Sequence, residues 1–140
     1  MADPQNAVIE KVLDRTRTIA VVGASRDPRK SAHSIPAMLQ REGYRIIPVN
    51  PYADVLFGET VHRTLASIEE PIDLVDVFRP SRDAVAVVRD AIASGAKAVW
   101  LQQDIVSPEA AALAADAGID FVENRCLGVE VRVRGAEPAA

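Results

Sequence analysis

The stretch VVGASRDPRKSAHSIPAML, residues 21–39, decides the fold. An apolar run ends on Gly23, polar and turn-forming residues follow through Lys30, and apolar residues then recur at Ile35, Met38 and Leu39. That spacing puts the last three on one face of a helix. The segment therefore reads as strand, glycine turn, helix. Such a turn is suited to holding a phosphate, because the first N–H groups of a helix lack intrahelical acceptors and lie at the positive end of its dipole.

The same grammar recurs along the chain. Ser31 or Ser34 opens the helix that Gly43 closes. Ser81 opens a stretch carrying Val85, Val88 and Ile92, closed by Gly95. Ser107-Pro108-Glu109 opens an Ala-rich stretch through Leu113, closed by Gly118. Serine caps exposed N–H groups at a helix start, proline suits the first turn, and glycine accepts the left-handed conformation just past the end. A further helix is expected over residues 7–13. Short apolar runs at residues 19–22, 46–49, 74–78, 98–101 and 119–122 read as strands. Most do not alternate with polar residues, as expected of parallel strands covered on both faces. Pro48 cannot donate to a ladder, which marks a strand end or an edge. A short helix is expected near residues 65–68. The resulting expectation is α/β: one Rossmann-like, doubly wound domain over residues 1–134, with a mainly parallel five-stranded sheet, helices on both faces and a disordered tail over 135–140.

Composition narrows the function. The chain has 140 residues, 49% of them apolar and 4% aromatic, so aliphatic side chains must fill the core. The net charge of −4 argues against a broad nucleic-acid surface. No apolar run approaches the roughly 20 residues of a membrane span. The N-terminus is charged and lacks a signal-peptide pattern. The single cysteine, Cys126, precludes an internal disulfide and fits a cytoplasmic protein. An exposed sheet edge would allow a homodimer.

In an open parallel sheet, ligands sit at the carboxyl ends of the strands, near the switch in strand order. That rule selects the loops at residues 23–30, 50–58, 79–81, 102–107 and 123–128. The first and fourth would flank the switch if the first strand neighboured the fourth. In the first loop, Arg26, Arg29 and Lys30 face one acid, Asp27. Gly23, Ala24 and Ser25 supply the turn. A nicotinamide or flavin fingerprint would need glycines at positions 23, 25 and 28 and an acid near the end of the second strand. Positions 25 and 28 hold Ser25 and Pro28, and the strand ends Val49-Asn50-Pro51. A P-loop is also absent, since Arg29 stands where its second glycine belongs.

Gly23-Ala24-Ser25 with Lys30, Gly43-Tyr44 and residues 48–51 (Pro-Val-Asn-Pro) together resemble the small bacterial and archaeal CoA-binding proteins. Gly58-Glu59, residues 75–79 (Val-Asp-Val-Phe-Arg), Trp100-Leu101-Gln102 and Arg125-Cys126 with Glu130 extend the resemblance, which spans about residues 7–133. The family's fold is similar to the CoA-binding domain of the succinyl-CoA synthetase α-subunit. The resemblance implies that Gly23, Ala24, Ser25 and Lys30 bind phosphate and that Val49, Asn50 and Pro51 lie near the adenosine. It also implies that Phe78, Arg79 and Pro80 line the adenine or pantetheine side. Arg26, His33 and Gln102 join the candidate set, and the ligand is coenzyme A or an acyl-CoA. Asp104 departs from the family, which often carries glycine there.

No catalytic set or metal-ligand cluster is apparent. His33, near a helix start, could donate to a phosphate or serve as a cap. His62 reads as structural or exposed. Cys126 follows a basic residue, so it could be a reactive thiol or an inert buried one. Asp76, in an apolar strand, needs a partner if buried. The residues fit a CoA-binding domain without catalysis of its own, acting as carrier, sensor or subunit. The alternatives are an enzyme or sensor using another nucleotide such as NAD(P), or a protein-interaction module with a vestigial site.

Overall fold

The computed structural model describes residues 3–140. The elements run α1 (Asn6–Arg15), β1 (Thr18–Val22), α2 (Ser31–Arg41), β2 (Arg45–Val49), β3 (Val55–Leu56) and β4 (Glu59–Thr60), then β5 (Leu74–Val77), α3 (Ala84–Ala93), β6 (Ala98–Leu101), α4 (Pro108–Ala117), β7 (Asp120–Val122) and α5 (Leu127–Arg134). One-turn 3-10 helices occur at Leu65–Ser67 and Ser81–Asp83. β3 and β4 form a small antiparallel hairpin. The other five strands form one parallel sheet in the order β2-β1-β5-β6-β7.

Strand side chains alternate between two cores, because successive residues point to opposite faces. Ile19, Val21, Leu74 and Trp100 pack with Ile9, Leu39, Leu127 and Val131, from α1, α2 and α5. Ala20, Val75, Val77, Val99 and Leu101 pack with Val88 and Ala91 of α3 and Ala110 and Ala114 of α4. Covering both faces explains why the strands read as continuous apolar runs. Pro48 lies in β2, an edge strand, where a missing donor is tolerated.

The expected caps are partly realised. Ser107 Oγ accepts from Ala110 N at 3.1 Å, and Gly118 closes α4 with φ +73°. α2 begins at Ser31 without any side-chain cap. Ser81 Oγ instead accepts from Val106 N, joining the loops after β5 and β6.

α5 carries no helical period in its sequence. Val129, Val131 and Val133 alternate with charged residues. It is helical because Leu127 and Val131, one turn apart, both enter the core, leaving Val129 and Val133 exposed. The tail beyond it, expected to be disordered, lies against the body. Gly135 ends the helix at φ +62°, Ala136 N donates to Val131 O, and Ala139 N donates to Thr16 O.

Candidate functional site

β1 lies between β2 and β5, not beside β6 as the flanking of the first and fourth loops would require. The chain leaves β1 toward β2 and returns to β5 on its other side, so the switch falls between β1 and β5. The crevice there is flanked by the first and third loops. It forms an open cleft of about 710 Å³. Ten expected residues line it: Gly23, Ala24, Ser25, Arg26, Lys30, Val49, Asn50, Pro51, Phe78 and Arg79. His33, Pro80 and Gln102 do not. The sequence reading missed Tyr52, Arg63, Asp83 and Asp90, which also line it. Arg63 lies in the connection after β4, whereas Asp83 stands at the N-cap of α3 and Asp90 lies within that helix.

Gly23 makes the turn with φ +87°, and its N–H donates to Val49 O at 3.2 Å. A Cβ here would stand 2.9 Å from Phe78 O and 3.1 Å from Arg79 Cδ. Glycine thus lets the first and third loops touch, besides supplying the positive φ. Ser25 Oγ accepts from Asp27 N at 3.0 Å, which leaves its hydroxyl hydrogen free to donate.

Pro36 lies inside α2 and has no N–H, so the Ala32 carbonyl loses its usual helical donor. The Ser25 N–H takes that place at 3.0 Å, docking the turn onto the helix. The N–H groups of Arg26, Ser31 and Ala32 have no acceptor among the described residues. Arg29 is spent on Asp27 through two bonds of 3.1 Å, and these bonds hold the Asp27 carboxyl below its ordinary pKa. Among the described residues, Arg26 and Lys30 have no carboxylate partner and are exposed. The turn therefore presents two free cations beside unpartnered N–H groups, an arrangement that attracts anions.

Asn50 spends its side-chain amide on the protein. Its Nδ2 donates to Ala24 O at 2.8 Å, while its Oδ1 accepts from Tyr52 N at 2.6 Å and Ala53 N at 2.8 Å. Arg63 secures the same loop by donating to the carbonyls of Asn50 at 3.0 Å and Ala53 at 2.5 Å. Tyr52, 80% exposed, stands on that pinned loop at the cleft. Arg79 pairs with Asp83 at 2.9 Å.

Gln102 turns inward. It is 5% exposed, and its Nε2 donates to Asp76 Oδ1 at 2.5 Å while its Oε1 accepts from Leu127 N at 3.4 Å. Asp76 is fully buried and its Oδ2 has no partner among the described residues; burial pushes its carboxyl up to about 7, against a smaller opposing effect from Gln102. An expected ligand contact is thus the partner that Asp76 requires. His33 also faces inward, its Nδ1 lying 2.7 Å from Ser25 O. His62 Nδ1 meets Ser67 Oγ at 2.7 Å, and its backbone pairs beside Val49. Cys126 is half-buried at the start of α5, outside the cleft lining. Asp104 has φ +70°, a shape that glycine adopts freely, and its N–H donates to Asn124 Oδ1 at 2.8 Å.

Fold and cleft define a doubly wound α/β domain with a basic turn at its switch point, the usual seat of a phosphate-bearing ligand. Comparison with known proteins gives the family. The family described as CoA binding domain matches residues 17–132, and the chain belongs to it. It is 36% identical over 129 residues to the uncharacterized protein YneT of Bacillus subtilis, covering 92% of this chain and 96% of that one. A hypothetical protein from Pyrococcus horikoshii superimposes with a TM-score of 0.89 at 32% identity, covering 95% and 96% of the two chains. An ADP-forming acetate–CoA ligase of Methanocaldococcus jannaschii is 26% identical over 87 residues, which are 62% of this chain and 12% of the ligase. Among the described residues, no helix is long and apolar enough to cross a membrane.

Proposed function

We propose that the cleft binds coenzyme A, free or acylated, and that the turn at residues 23–30 holds one of its phosphates. The observation that carries this is the pair of cations, Arg26 and Lys30, that have no carboxylate partner among the described residues, beside N–H groups of Arg26, Ser31 and Ala32 that have no acceptor among them. Coenzyme A brings a pyrophosphate and a ribose 3′-phosphate. A carboxylate at the end of β2 would repel the latter, and the residue there is the amide Asn50. Arg63 and Arg79 also line the cleft, where Asp83 and Asp90 offset their charge, so its net positive charge rests on Arg26 and Lys30. The family and the match to a segment of a CoA ligase support the same ligand. The domain acts by binding, as carrier, sensor or subunit, without chemistry of its own.

Thermal unfolding with CoA, acetyl-CoA, NAD and NADP tests the reading. A specific ligand at 100 times its dissociation constant stabilises the fold by about 2.7 kcal/mol. Stabilisation by CoA or acetyl-CoA is expected, with none by NAD. A shift with NAD or NADP alone would replace this reading with a dinucleotide site. No shift with any of the four would leave an interaction module with a vestigial cleft.

A further inference from the structure

We infer that His33 is a positioning residue, which orients the peptide between Ser25 and Arg26 so that the Arg26 N–H becomes a phosphate donor. The inference rests on the phosphate-binding reading above and names the backbone group that serves it.

Ser25 is held by α2 on both sides. Its N–H donates to Ala32 O at 3.0 Å, an acceptor left open by Pro36. Its carbonyl lies 2.7 Å from His33 Nδ1. A carbonyl only accepts, so Nδ1 carries the proton and donates, whether the ring is neutral or charged. In a trans peptide, the C=O and the following N–H point in opposite directions. Fixing the Ser25 carbonyl on His33 therefore turns the Arg26 N–H to the opposite side. That N–H has no acceptor among the described residues, and Arg26 lines the cleft. Without the clamp, the peptide could flip and present its carbonyl oxygen, which repels an anion.

The imidazole is itself held. The Phe57 ring lies 5.0 Å from it, tilted by 52°. Phe57 adopts φ +57°, unusual for a bulky residue, and its carbonyl accepts from Gln40 Nε2 at 2.8 Å. The hairpin of β3 and β4 thus braces the ring that aims the peptide. This assigns work to the hairpin that carries Gly58-Glu59, and gives His33 an indirect role in place of direct phosphate contact.

The test uses the full chain and two variants. His33→Phe keeps a ring against Phe57 and loses the donor. His33→Asn keeps a donor near the Nδ1 position and loses the ring. Amide exchange by NMR in the free protein, and CoA affinity by calorimetry, are read for each. His33→Phe is expected to speed exchange across residues 24–27 and to weaken CoA binding about tenfold, a change within reach of one lost donor. His33→Asn is expected to retain most of both. In the native chain, CoA should slow exchange of the Arg26 amide. CoA binding by His33→Phe equal to that of the native chain would overturn the proposal, as would an Asn variant as impaired as the Phe variant. If the native chain does not bind CoA, the ligand reading fails on its own. The clamp then stands or falls on free-protein exchange, and unchanged rates in His33→Phe would refute it.

Discussion

The side-chain amide of Asn50 donates to the carbonyl of Ala24 across 2.8 Å, stitching the loop after β2 to the turn after β1. The position where a dinucleotide site would carry its ribose acid holds a residue that builds the cleft wall. Asn50→Asp should lose this donor and set a carboxylate against a carbonyl. The expected cost is about 1–3 kcal/mol, the range for a buried polar group left unpaired, with CoA bound more weakly. Urea unfolding and calorimetry read the two effects; an unchanged midpoint would show that the stitch contributes little.

Two neighbouring cations should behave differently. Lys30 has no carboxylate partner among the described residues, whereas Arg29 is occupied by Asp27. Lys30→Glu should weaken CoA binding roughly 10- to 100-fold, as expected when a charge-assisted hydrogen bond is lost and its sign reversed, with the fold intact. Arg29→Glu should have a much smaller effect. Equal losses in both variants would indicate a general field rather than a specific contact.

Gly23 is constrained twice, by φ +87° and by the 2.9 Å approach its Cβ would make to Phe78 O. Gly23→Ala should destabilise the fold by about 2–4 kcal/mol, combining left-handed strain with a backbone displacement. It should also push the first and third loops apart and impair binding. Thermal unfolding of the variant, with and without CoA, measures both, and a stability equal to that of the native chain would contradict the contact.

Asp76 predicts a pH dependence. Its carboxyl titrates near 7 when folded and near 3.8 when not, so between those values the folded chain holds a proton that the unfolded chain has released. Stability from this group therefore falls as pH rises from about 4 to 7 and levels off above. Asp76→Asn removes the titration while keeping an oxygen that can accept from Gln102. Near pH 4 the two proteins should have similar stability; at pH 8 the variant should be more stable, by up to about 4 kcal/mol. A difference independent of pH would show that Asp76 is not the group responsible.

Much of the site was legible because its turn chemistry is local. Gly23, Ser25 and Lys30 follow a strand and precede a helix, and each lines the cleft. Gln102 was misplaced because a strand-end position does not reveal that Asp76, 26 residues earlier, needs its amide. His33 was expected near a phosphate, yet its Nδ1 is used on Ser25 O. Arg63 lies in a connection with no strand or helix period of its own, and Tyr52 lies within the expected loop at residues 50–58 but in none of its motifs. α5 was missed for a related reason: alternating valines become helical only when Leu127 and Val131 find a core to enter.

By itself, the sequence determined the class of fold, the strand-turn-helix at residues 21–39 and the basic charge of that turn. These follow from short-range periodicity, capping and residue chemistry. Only the tertiary structure decided that β1 lies beside β5, and so which loops meet across the cleft. It also decided whether a polar side chain faces the ligand or the protein. Strand order and side-chain partnership depend on contacts between residues far apart in the chain, and a local pattern holds no record of which distant group will satisfy a buried donor or acceptor.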